Sequence, residues 1–188
     1  MPGGLPGSAI EPIFLDVCTS CGDTVACLPR PWFKNEPVDE TFFDTAPVKL
    51  GDTFDIARPA AEVWGELTAD TTLWWCRILD DVRWTSPRPF GVGTTRTVKS
   101  LKGANVIHEH YFRWEEGRRK SFYVVDASAP LFKRFAEDYL VEPASDSSCR
   151  FTWTIAYEPR PAMRLGRPVN DRILRTLLTD TRSHYNAP

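Results

Sequence analysis

Apolar positions along this chain recur with two different periods, and the switch between them marks out its elements. Residues 1–45 show little periodicity and are rich in Pro, Gly, Asp and Glu, the pattern of an irregular arm. From Val48 the stretch VKLGDTFDIA alternates, as a half-buried strand does. In RPAAEVWGELTAD, Ala60, Val63, Trp64 and Leu67 fall at i, i+3, i+4 and i+7. That is the single stripe of an amphipathic helix, and Pro59 suits its first position. TTLWWCRIL predicts a second short helix. Between residues 80 and 157 the pattern returns to strands: DVRWTS, TTRTVKS, NVIHEHYFRW, KSFYVVDA, FAEDYLVE and CRFTWTIAY. Turn signals separate them, and strands joined by such short connections pair antiparallel.

The last segment, AMRLGRPVNDRILRTLLTDTRSHY, is helical. Met163, Ile173, Leu174, Leu177, Leu178 and Tyr185 fall on one half of a helical wheel. Arg164, Asp171, Arg172, Arg175 and Arg182 fall on the other, and Gly166 and Pro168 should bend or interrupt the start. The order predicts an α+β helix-grip fold. A curved antiparallel sheet wraps around a long C-terminal helix, and two short helices after the first strand close one end. Residues 1–45 are the arm and 46–188 the domain. A curved sheet and one helix leave a gap between them, which becomes a pocket unless large side chains fill it.

Length and charge narrow the field. One domain with an appendage is the default for 188 residues. A net charge of −2 with scattered arginines gives no reason to expect nucleic acid as a partner. No run reaches the length of a membrane span, so membrane insertion is not expected. The start lacks a basic n-region and an apolar h-region, so the expected location is the cytoplasm. The arm carries Cys18, Cys21 and Cys27, one short of a four-ligand zinc site, and Cys76 and Cys149 have no neighbouring partner. C-x-x-C here precedes glycine and two prolines rather than opening a helix, which argues against a redox pair. The expectation is therefore an arm without metal.

Several motifs in order resemble one family. FDIARPAAEVWGELTAD, with Ile56, Pro59, Val63, Trp64 and Asp70, is similar to the opening of polyketide cyclase/dehydrase-like proteins. These belong to the START and birch-pollen-allergen-like superfamily (SRPBCC). Ala57-Arg58 departs from that pattern. PFGVGTTRTV, FRWEEGRRKSF and CRFTWTIAYEP resemble its glycine turn, hairpin and last strand. The resemblance covers residues 46–186. It implies a helix-grip domain with a hydrophobic cavity, no required cofactor or metal, and a flap at the glycine turn beside the pocket mouth. Members include aromatic polyketide cyclases, lipid and sterol carriers, and hormone receptors.

Candidate site residues follow from strand alternation. Phe151, Trp153, Ile155 and Tyr157 share one face, as do Phe135, Glu137, Tyr139 and Val141. An inward Glu137 needs a partner, Arg96 or His108, or else a raised pKa. His108 and His110 share a face, and Phe112 and Trp114 continue its alternation, which favours an inward face unless a bulge intervenes. Asn170 and Thr181 are polar positions on the apolar half of the last helix. The candidate ligand-binding set is Trp74, Trp75, Trp84, Arg96, Phe112, Trp114, Phe122, Tyr139, Trp153, Asn170 and Thr181. Acid–base candidates are His108, His110 and Glu137. The expected function is binding of a hydrophobic small molecule, a lipid or polyketide, for transport or sequestration. The alternative is a cyclase or dehydrase acting on a poly-β-keto or aromatic substrate.

Overall fold

A computed structural model of the protein describes residues 30–186. Cys18, Cys21 and Cys27 lie outside the described residues. The strands are β1 (Phe33–Lys34), β2 (Val48–Ile56), β3 (Leu79–Trp84), β4 (Thr95–Ser100), β5 (Asn105–Glu115), β6 (Arg119–Ala127), β7 (Phe132–Ser145) and β8 (Ser148–Pro159). The helices are α1 (Phe42–Thr45), α2 (Ala60–Leu67) and α3 (Arg167–Tyr185). All strand pairs are antiparallel, in the order β2-β8-β7-β6-β5-β4-β3, and β1 pairs with β6. The sheet curls around α3, which packs against β2, as a helix-grip fold requires.

Two strands set the inner face. Phe151, Trp153, Ile155 and Tyr157 of β8 are buried, and so are Phe135, Glu137, Tyr139 and Val141 of β7. From α3, Leu174, Leu177 and Leu178 complete the core. The interruption expected at the helix start is its start: α3 begins at Arg167, just after Gly166, with Pro168 in its first turn.

The stretch TTLWWCRIL departs from expectation. It forms successive turns, with hydrogen bonds from Thr72 to Ala69, Cys76 to Leu73 and Leu79 to Cys76, in place of a second short helix. Leu73 adopts φ 60°, a left-handed conformation that ends a helical run. This kink buries Leu73 and turns Trp74 out to solvent.

Strand β5 carries the second departure. Tyr111 pairs with Phe122 and Arg113 with Ser121, so Phe112 is an extra residue, a β-bulge. Opposite, His108 pairs with Asp126 and Glu109 with Val124, which leaves Val125 as the extra residue of β6. The inward residues of β5 are consequently Glu109 and Tyr111, and after the bulge Trp114, which meets Tyr111 and Trp84 edge-on. His108, His110 and Phe112 point the other way. Residues 31–45, within the expected arm, form β1 and α1 and belong to the compact unit that begins at Pro31.

Candidate functional site

A cavity of about 100 Å³ lies between the concave face of the sheet and α3. Most of its wall is aliphatic or aromatic: Val98, Ile107, Val124, Phe135, Leu174 and Leu177 are representative. One end is polar. There Arg96, Glu109, Glu137, Tyr139 and Trp153 meet, each supplied by a different inward strand position of β4, β5, β7 or β8.

This polar end is fully buried, so each charge needs a partner. Arg96 donates from Nε to Glu109 Oε2 at 2.5 Å. Burial works against the guanidinium charge, but the Glu109 carboxylate, together with Tyr111 and Tyr139, outweighs it and holds the Arg96 pKa well above its ordinary value. Burial pushes the Glu109 carboxyl up, and Arg96 opposes that rise. Glu137 takes a different route. Its Oε2 accepts hydrogen bonds from the Tyr139 hydroxyl at 2.7 Å and the Trp153 indole at 3.0 Å. Burial first, and then the nearby Glu109 charge, raise its pKa to about 7. Neither expected partner is bonded to it: Arg96 is committed to Glu109, and His108 lies on the opposite face of the sheet.

Three polar atoms of the cavity wall are buried and unpartnered among the described residues: Arg96 Nη1, Asn105 Oδ1 and Asn170 Nδ2. An orphaned buried donor or acceptor costs about 1–3 kcal/mol. These atoms are therefore the places where a guest's polar group gains most.

Behind the cavity wall sits a buried lysine. Lys120 donates to the Leu67 carbonyl at the end of α2, and the rings of Trp84 and Tyr139 lie 5.2 Å from its Nζ. Burial, reinforced by the Arg96 charge, pushes its pKa well below the ordinary lysine value. Trp84 donates to the Ala69 carbonyl at 2.9 Å, tying the sheet to the chain just after α2.

Leu101 of the β4–β5 turn, Leu131 after β6, and Asn170 and Ile173 of α3 also line the cavity, and of these Leu101 is exposed. Leu101 and Lys102 both adopt φ 57°. The flank is closed differently. Beyond Tyr123 and Ala136, β6 and β7 no longer pair, and β1 fills the seam. Asn35 N donates to Val125 O and Glu36 N to Lys133 O, each at 2.9 Å, and Asn35 itself lines the cavity.

Of the residues singled out from the sequence, Arg96, Glu137, Tyr139, Trp153 and Asn170 line this cavity. Phe122 and Trp84 stand behind it, with the Arg96 guanidinium 5.0 and 5.2 Å from their rings. The others lie elsewhere. Trp74 is 68% exposed. Trp75 stacks on His184 and donates to Thr181, so both Trp75 and Thr181 belong to the core beside α3. Trp114 packs edge-on to Trp64 and donates to Glu116 at 2.7 Å. Phe112 lies near Phe43 and Tyr123 on the outer face, where the bulge puts it. His108 bonds Asp126 at 2.7 Å and stacks on Trp32, and His110 lies against Tyr123. The glycine turn, expected as a flap, contributes no residue to the cavity wall.

Glu109, Asn105, Asn35 and Lys120 were not anticipated. Glu109 alternates with Ile107 and Tyr111, and Lys120 with Phe122 and Val124. A charged residue phased with apolar neighbours on a strand was the available signal. Asn35 had none, because its position depends on the seam.

An antiparallel sheet closed on a terminal helix, with a cavity between them, defines the START/Bet v1-like class of fold. The chain belongs to the family described as polyketide cyclase / dehydrase and lipid transport, whose sequence pattern matches residues 47–184. Uncharacterized proteins of Mycobacterium tuberculosis and Mycobacterium bovis are 37% identical over 158 residues, covering 81% of this chain and 93% of theirs. A START superfamily protein from Mycobacterium smegmatis matches with a TM-score of 0.59 at 10% identity, over 73% of this chain and 96% of that one. The major latex-like protein 151 of Panax ginseng matches at 0.54 and 16% identity, over 74% and 98%. At such low identity these two structures speak to the fold alone.

Proposed function

We propose that this domain binds a hydrophobic small molecule, a lipid or polyketide-like compound, inside the sheet–helix cavity, for transport or sequestration. The observation that carries the reading is the pairing of an apolar wall with three buried, unpartnered polar atoms on Arg96, Asn105 and Asn170. Apolar burial supplies affinity, and the polar atoms orient the guest. The cavity, at about 100 Å³, is smaller than the roughly 300–1,000 Å³ of common ligand pockets. A lipid-sized guest therefore requires the rim at Leu101 and the first turns of α3 to move apart. Native mass spectrometry of the protein isolated from its own host tests this: a copurified apolar compound is expected. A ligand-free mass together with no displacement of an apolar dye by any lipid or aromatic polyketide would overturn it.

A second reading, catalysis of cyclisation or dehydration, is favoured by one observation. Glu137 sits in the cavity with a pKa of about 7, where a general acid–base group is most effective. In that reading Glu137 moves the proton, Tyr139 holds it in place and Arg96 polarises a substrate carbonyl. His108 and His110 take no part, since they face away from the cavity. Turnover of a poly-β-keto substrate, lost in Glu137→Gln with binding retained, separates the enzyme from the carrier.

A further inference from the structure

The start of α3 exposes what a folded domain ordinarily hides. Leu165 is 97% exposed and Val169 63%, the first just before α3 and the second in its opening turn. Asn170 and Ile173, immediately beyond, line the cavity. Leu101, another residue of the cavity wall, is also exposed, between Lys99 and Lys102. Charge is concentrated at the same place. The whole chain is −2, yet residues 160–175 contain five arginines (Arg160, Arg164, Arg167, Arg172 and Arg175) and one acid, Asp171. That acid is already engaged by Tyr157 and, at 3.4 Å, by Arg167. Arg164, Arg172 and Arg175 are exposed. The first turn of α3 also lacks any acidic side chain to offset the positive end of the helix dipole.

We infer that this rim is a docking surface for an anionic lipid bilayer, with Leu165 and Val169 entering the headgroup region and the surrounding arginines pairing with lipid phosphates. Protruding aliphatic side chains ringed by cations fit an interface that is apolar below and negative above. An acidic protein would satisfy the arginines but gives no reason for a leucine that is 97% exposed. The inference does not depend on which guest the cavity holds, because docking is an event at the outer surface.

Co-sedimentation of the full chain with vesicles tests it. Vesicles of phosphatidylcholine mixed with phosphatidylglycerol should carry the protein down, and phosphatidylcholine alone should not. Each arginine removed, as in Arg164→Gln or Arg172→Gln, should weaken partitioning about fivefold. The pair Leu165→Gln and Val169→Gln should abolish it while the melting temperature stays unchanged, since both residues are exposed. Val124→Phe, which fills the cavity, should dock as the parent does. A failed cavity reading thus leaves this result intact. Equal sedimentation with neutral and anionic vesicles, or none with either, overturns the proposal. So does a dimer in solution that the Leu165 and Val169 substitutions dissociate, since that assigns the surface to a second copy.

Discussion

Arg96 and Glu109 face each other across the β4–β5 ladder and form an ion pair with almost no access to water. Burying two charges is costly, and what holds such a pair is that each charge makes the other tolerable. Losing one partner should therefore be far worse than losing both. Arg96→Met is expected to destabilise the fold by about 3–5 kcal/mol, because it leaves Glu109 buried and alone. The double substitution Arg96→Met with Glu109→Gln should recover much of that loss. Denaturant unfolding of the parent, Arg96→Met, Glu109→Gln and the double variant measures it. A double variant that is the sum of its single variants would contradict this account.

Glu137 makes a pH prediction with a definite sign. Its folded pKa, about 7, lies above the ordinary 4.5. Between those values the native state keeps a proton that the unfolded chain has released, so stability falls as pH rises through that window and levels off above it. Below it the group is neutral in both states and contributes no difference. Glu137→Gln removes this dependence. Its stability relative to the parent should rise, on the order of 3 kcal/mol, between pH 4.5 and pH 7. A parent–variant difference that does not change with pH would show that Glu137 ionises normally.

Filling the cavity should exclude the guest without unfolding the host. Val124 lines the cavity, and Val124→Phe adds volume directly into it. Dye binding should drop to background while stability changes by no more than about 1–3 kcal/mol, the usual cost of overpacking. Trp74→Ala, on the exposed turn, should bind dye as the parent does.

The seam between β6 and β7 offers a kinetic test. Asn35→Pro with Glu36→Pro deletes the two N–H groups that bond Val125 and Lys133. Stopped-flow mixing with an apolar dye should show severalfold faster association, because the flank beside the cavity opens. An unchanged rate would place all access at the Leu101 rim.

The inner faces of β7 and β8 were legible because alternation is unbroken there, and Glu137 could be placed inside from its phase with Tyr139 and Val141 alone. The same reasoning failed on β5. One inserted residue at Phe112 shifts the phase, so reading backwards from Trp114 puts His110 and His108 on the wrong face. A bulge has no strong sequence mark, and the apolar Phe112 gave the wrong alternation more support than the right one. At TTLWWCRIL the misleading feature was composition. Trp74 and Trp75 were both expected at the ligand site, but a single left-handed residue, Leu73, precedes them and they are split between solvent and core. The partners of Glu137 were missed because the two groups that bond it share its sheet face, while charge alone pointed to Arg96 and His108.

β1 is only two residues long, yet it completes the container wall, and it lies before the stretch that the family pattern matches. The vessel and its stopper are thus written in separate parts of the chain. Substitutions in the stopper can reset how readily the vessel admits a guest, and leave untouched the framework that determines its shape.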